Sequence, residues 1–204
     1  MKLMYGSNAL YGSVLFDGNP EIDIGKGWTH TLTSRIVDGQ LNFSSVEMLT
    51  NKRTYTDSSV AVHVEADFVY NGIDIGLILW YNNTGYIKYI LSPDEASIFR
   101  YYDNNILLLD KNSDDKIIFP ETGDLVTLKA ILYKTNIKCY LNDQNIFNFE
   151  QMAFSNGSFG ISGTTGAKCT KFKVRSNKLS GWNRNLKEGC FCIPKDNSLY
   201  FNAK

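Results

Sequence analysis

His63, Glu65 and Asp67 stand at every second position of one run, Val60-Ala-Val-His-Val-Glu-Ala-Asp-Phe68. Side chains of a strand alternate between its two faces, so these three share a side while Val60, Val62, Val64, Ala66 and Phe68 share the other. Glu65 and Asp67 therefore point the same way. Two carboxylates roughly 5–10 Å apart across a groove are what glycosidic hydrolysis needs. No third carboxylate follows them, however, because Phe68, Val69, Tyr70 and Asn71 come next. The plainer account of the pair is a solvated sheet face beside a buried one. The chain holds 2 histidines, His30 and His63, which excludes a His-rich metal site. No Gly-x-Ser-x-Gly elbow and no phosphate-cradling glycine loop occurs, and Gly25-Lys26-Gly27 is too short to be one. The reading is non-catalytic, with a glycoside hydrolase left as an alternative.

A second chemistry fits the same side chains. Sugars are held by an aromatic ring under their apolar C–H face and by polar groups that take the hydroxyls. Ile78 and Trp80 follow His63, Glu65 and Asp67 on the polar side of the sheet if Leu77 and Leu79 face the core. Tyr86 and Lys88 join them if Ile87, Tyr89 and Leu91 face inward, and Arg100 and Tyr102 extend the surface from the next strand. Trp80 has two places open to it, this surface or the core. The ligand-binding reading takes the surface and predicts His63, Glu65, Asp67, Trp80, Tyr86, Lys88, Arg100 and Tyr102 on one face.

The elements that would carry these residues are strands. Period-2 alternation runs through 60–69, 74–81, 86–91, 97–102, 106–109, 116–119, 125–133, 137–141, 145–149, 157–162 and 169–174. Asn71-Gly72, Asn82-Asn83-Thr84-Gly85, Asp103-Asn104-Asn105, Thr135-Asn136 and Asn142-Asp143 are turn signals between them. No amphipathic helix of useful length and no internal repeat is found. Many short strands with such turns predict an antiparallel sandwich over 21–176. Residues 1–20 and 177–204 read as irregular N- and C-terminal arms that need something to pack on.

The balance of 21 basic against 21 acidic residues argues against nucleic acid as a partner, and 43% apolar residues supply a core in the 204-residue chain. No run approaches a membrane span, and no signal peptide is read at the start. The expected setting is a protein made in the cytoplasm that acts there, or that leaves in a virus particle or by another route. Cys139 and Cys169 fall in strand-like runs and are expected to be buried free thiols. Cys190 and Cys192 are too close for a typical zinc knuckle, and no second pair completes it.

The stretch from about 59 to 175 resembles the concanavalin A-like, laminin-G-like jelly rolls that include carbohydrate-binding modules. The likeness rests on ordered segments. They are the opening strand Val60–Phe68, the glycine-led hairpin Gly76–Leu91 and the Leu125–Tyr133 strand leading to Ile137–Asp143 with its Leu-Asn-Asp turn. Gly157-Ser-Phe-Gly-Ile-Ser162 and Cys169–Val174 complete the series. The hairpin often has Arg where Trp80 stands, and the last strand often has Phe-Asp where Cys169-Thr170 stand. That Asp can help hold a structural calcium. With Thr170 in its place no cofactor is expected, and the calcium is left open. The resemblance implies an all-β, antiparallel two-sheet jelly-roll sandwich.

The sequence thus predicts a non-catalytic recognition module that binds a glycan or cell-wall polysaccharide. Its arms and composition suggest an oligomer or a subunit of a larger assembly, such as a bacteriophage tail, baseplate or fibre adhesin. A purely structural virion protein is the alternative.

Overall fold

The computed structural model describes residues 13–14, 28–29, 35–37, 40–51, 61–150, 156–176, 190–192 and 200–202. The strands before the central region are β1 (Ser13–Val14), β2 (Trp28–Thr29), β3 (Arg35–Val37), β4 (Gln40–Asn42) and β5 (Glu47–Asn51). Next come β6 (Val62–Val69), β7 (Ile75–Asn82), β8 (Gly85–Leu91), β9 (Ala96–Tyr102) and β10 (Asn105–Asn112). The series continues with β11 (Leu125–Tyr133), β12 (Asn136–Leu141), β13 (Gln144–Glu150), β14 (Ser158–Gly163) and β15 (Lys168–Ser176). The last two are β16 (Cys190–Cys192) and β17 (Tyr200–Asn202). No helix occurs among the described residues.

Two antiparallel sheets form the sandwich. The first has eight strands, ordered β13-β12-β11-β6-β15-β4-β3, with β1 against β15. The second has seven, ordered β10-β9-β8-β7-β14-β5-β2. The chain passes back and forth between them, as from β6 to β7, β10 to β11 and β14 to β15. Hairpins link β7, β8, β9 and β10 in the second sheet, and β11, β12 and β13 in the first.

Alternation dictates this layering. In β6, Val62, Val64, Ala66 and Phe68 are buried while the residues between them are half-buried. In β11, Val126, Leu128, Ala130 and Leu132 do the same. Registered across the sheet, Leu128 faces Ala66 and Ala130 faces Val64, so large and small side chains interlock. From the second sheet, Leu77, Ile87, Tyr89, Leu91 and Ile161 meet them. Burying each large apolar side chain contributes roughly 1.5–3 kcal/mol. Cys139 and Cys169 are buried free thiols inside this core, as expected, and burial pushes both thiols up.

Lys116–Phe119, read as a short strand, is a turn instead. The Asp114 carboxylate accepts from the Lys116 N–H at 3.0 Å, and the Asp114 carbonyl accepts from the Ile117 N–H at 2.8 Å. A short Asp side chain that caps its own downstream backbone competes with strand pairing. Ser13–Val14, within the expected N-terminal arm, pairs with β15. In the C-terminal arm β16 pairs with β17. The rest of both arms lies outside the described residues.

Candidate functional site

The eight residues predicted for one face lie on different parts of the molecule. His63, Glu65 and Asp67 are on β6, in the eight-stranded sheet. Trp80, Tyr86, Lys88, Arg100 and Tyr102 are on β7, β8 and β9, in the other one. The single surface is therefore corrected to two outer faces, because the chain changes sheets between β6 and β7.

On the first face, a bulge at Thr170 brings Lys171 opposite Asp67, where unbroken pairing would have placed Thr170. The Lys171 ammonium lies 2.8 Å from Asp67 Oδ2 and 3.2 Å from Glu65 Oε1. Thr127 Oγ1 donates to Asp67 Oδ1 at 2.8 Å. Burial alone would lower the Lys171 pKa, but the hydrogen bond and charge of Asp67, and then of Glu65, raise it. Lys129 lies over the Tyr140 ring at 5.4 Å. Glu65, Asp67, Thr127, Lys129 and Lys171, with Asn142 and Asp143, surround a shallow hollow of about 380 Å³. The Lys171, Glu65 and Asp67 charges are spent on one another, and Lys129 and Asp143 complete the charged lining. His63 is half-buried on the same side, registered against Ile131.

Trp80 is on neither face. It is 1% exposed and packs on Phe159, with ring centroids 5.0 Å apart. The cause is local. Regular pairing of β7 with β8 stops after Leu79 and resumes at Asn82. Trp80 takes a left-handed φ of 53°. A bulge of this kind turns one side chain against the alternation, so Leu79 and Trp80 both enter the core. Gly157 makes room for it. A Cβ there would lie 2.5 Å from the Trp80 carbonyl carbon, and its φ is 145°.

Beyond the bulge, the second sheet carries a groove of about 750 Å³ over the adjacent ends of the β7–β8 and β9–β10 hairpins. Cross-strand register sets Tyr86 opposite Tyr101. Their rings stack at 4.5 Å with planes 11° apart, and Tyr81 closes on Tyr86 at 5.8 Å. The three phenols form a ladder across β7, β8 and β9. Burial pushes the Tyr86 hydroxyl up to about 12, helped by Tyr101 and Tyr81, and burial raises Tyr101 as well.

The two turns supply the rest of the groove. Asn82 Oδ1 accepts from the Thr84 N–H at 2.9 Å, the Thr84 hydroxyl at 2.7 Å and the Gly85 N–H at 3.2 Å. Asp103 and Asn104 take φ of 48° and 61°, the left-handed pair of a two-residue hairpin turn. The Asp103 N–H donates to the Thr84 carbonyl at 3.3 Å and holds the two turns side by side. Asn82 and Asn105 are thereby used in the turns. The side chains of Asn83, Asp103 and Asn104 are exposed and line the groove without a hydrogen bond. Tyr102, 48% exposed, lines its edge with Ile106.

Of the predicted site residues the groove unites Tyr86 and Tyr102. Lys88 shares the outer face with Tyr86 but sits farther along β8, registered between Ile78 and Phe99. Burial lowers its pKa, and Asp74 partly offsets this. Arg100 is registered between Ile87 and Leu107, on the other side of β9 from Tyr101. Sequence reasoning missed Tyr81, Tyr101, Asn83, Asp103 and Asn104 as site residues. The signal was present: tyrosines flank the first turn, in Tyr81-Asn-Asn-Thr-Gly-Tyr86, and precede the second, in Tyr101-Tyr-Asp-Asn-Asn105.

No protein-family model matches the chain, and no curated protein matches it in sequence. Solved structures match it in shape. It is similar to the carbohydrate-binding module CBM66 from Bacillus subtilis, with 15% identity and a TM-score of 0.58 over 74% of this chain and 95% of that one. It is also similar to the metal-free Emp46p carbohydrate recognition domain, with 11% identity and a TM-score of 0.58 over 73% of this chain and 88% of that one. A third similar structure is the GH43 protein BlXynB from Bacillus licheniformis, with 14% identity and a TM-score of 0.55. There the match covers 76% of this chain and 38% of that one. Likeness at these identities establishes the fold, a concanavalin A-like jelly-roll sandwich.

Proposed function

We propose that this chain is a non-catalytic glycan-binding module whose ligand lies in the tyrosine groove. The observation that carries the reading is the ladder of Tyr81, Tyr86 and Tyr101 beside unbonded amide and carboxylate groups in an open groove. Aromatic surface takes sugar C–H groups, and phenols and amides exchange hydrogen bonds with hydroxyls. Two of the similar structures are named as carbohydrate-binding domains, which supports the same reading. The non-catalytic part rests on the first face, where Lys171 bridges both carboxylates of the one candidate pair. The wider setting, a subunit of a larger virion-type assembly, is carried into the proposal from the sequence alone.

The test is a glycan array with the Tyr86→Ala/Tyr101→Ala double variant against the unchanged protein. Thermal unfolding of both serves as a check on the fold. Removing two ring contacts, each about 0.5–1.5 kcal/mol, is expected to weaken binding by about tenfold. Undiminished binding by a folded double variant would remove the groove from the site.

A further inference from the structure

The groove carries a charge signature that narrows its ligand. We infer that it selects uncharged saccharides and rejects anionic ones, with Asp103 as the residue that sets this preference. The inference rests on the glycan-binding reading of the same groove. Tyrosine, asparagine and threonine make up most of the lining, and its one charged side chain among the described residues is Asp103. No lysine or arginine among the described residues lines it. Lys88 stands two residues from Tyr86 along β8, about 7 Å away on an extended strand, and registers against Ile78 and Phe99 instead. Arg100 registers with Ile87 and Leu107.

The phenols reinforce this. The Tyr86 hydroxyl, held up to about 12, is a neutral donor and acceptor across the ordinary pH range. The side-chain amides of Asn83 and Asn104 are neutral as well. A hydroxylated ligand finds partners for its donors and acceptors here. A carboxylate or sulfate entering the groove would shed water, meet no cation among the described lining residues and approach the Asp103 carboxylate. An unpaired charge brought to such a place is penalised. The outer face of the other sheet shows the contrast, since there each carboxylate of β6 has an ammonium within 3.2 Å.

The experiment uses matched pairs of oligosaccharides: glucose, galactose and mannose oligomers, and the same oligomers oxidised at C6 to uronates. Binding of the full chain to each is measured by isothermal titration calorimetry. At least one neutral oligomer is expected to bind, and its uronate to bind roughly tenfold or more weakly. Asp103→Asn, which tolerates the same left-handed turn position, is expected to narrow that gap at least about threefold. Uronates that bind as tightly as their neutral counterparts would overturn the inference and leave the glycan-binding reading standing. A gap that Asp103→Asn does not change would overturn the assignment to Asp103. Failure of all the oligomers, neutral and anionic, would overturn the glycan-binding reading and this inference with it.

Discussion

The two outer faces of this sandwich carry similar kinds of side chain and differ in what those side chains are bonded to. On the eight-stranded sheet, Glu65, Asp67, Thr127 and Lys171 satisfy one another. On the seven-stranded sheet, the tyrosine ladder and its two turns leave Asn83, Asp103 and Asn104 unbonded at an open groove. A polar surface is therefore not a binding surface by composition. A face whose donors and acceptors are already paired stabilises the fold. A face that holds them fixed, yet unpaired, has interactions left to give a ligand. The turns achieve the second condition. Asn82 and Asn105 spend their amides on the backbone, and this rigid frame presents their neighbours.

The largest expected effect belongs to the residue between the two faces. Trp80→Ala removes a fully buried indole from the core and should cost about 3–5 kcal/mol, read as a lower denaturant midpoint with an unchanged slope. Its effect on glycan binding should vanish where the variant is still folded. A stable variant with lost binding would restore Trp80 to the ligand site and undo the division drawn here.

That residue also marks where the sequence was legible and where it was not. Strands β6 and β11 were readable because one side of each is buried and the other is not, so period-2 alternation is plain. The apolar run Ile75-Gly-Leu-Ile-Leu-Trp80 has no such contrast: every position from Ile75 to Trp80 is buried. Nothing in it signals that pairing breaks after Leu79, so the sequence leaves Trp80 open between surface and core, and the ligand-binding reading takes the surface. Strands β3 and β4 escaped notice because at three residues each they are too short to show a period. The separation of His63, Glu65 and Asp67 from Tyr86 and Tyr102 depends on which strands are neighbours. Long-range pairing such as β6 with β15 is not written in local pattern. The turns were legible, but their proximity comes from the β8–β9 register that sets Gly85 against Tyr102, extended by the hydrogen bond from the Asp103 N–H to the Thr84 carbonyl.

The next effect in size sharpens the contrast from the paired side. Lys171→Met deletes the ammonium and leaves two neighbouring carboxylates, with side chains 21% and 14% exposed, without their ion partner. Removing one partner of a partly buried pair should cost about 1–3 kcal/mol, measured by chemical denaturation. Glycan affinity should stay within about twofold, since the triad is on the opposite sheet. Lost affinity in a folded Lys171→Met protein would show that the two faces are not separable.

The smallest effect is a pH dependence in which both faces take part on the alkaline side. The Tyr86 phenol is raised from 10.0 to about 12, and the Lys171 ammonium is raised above 10.5. In each case the folded protein holds a proton more tightly than the unfolded chain. The stability from these groups is therefore complete below the unfolded value and is lost as pH rises through the folded one. For Tyr86 that window runs from pH 10 to about 12, and for Lys171 it opens at 10.5. The buried thiols of Cys139 and Cys169, raised from 9.0, add a loss with the same sign that begins at lower pH. The stability contributed by these groups should thus fall steadily above pH 9, while neither face titrates through them between pH 6 and 8. Lys88, whose pKa is lowered by burial, acts in the opposite sense. Tyr86→Phe and Lys171→Met should each make the decline above pH 10 shallower than in the unchanged protein, and their effects should add, because independent sites on opposite sheets share no partner. Alkaline unfolding curves followed by circular dichroism measure this. Decline curves that coincide for all three proteins would mean that neither face holds its proton as the geometry requires, and non-additive curves would mean that the two sheets communicate.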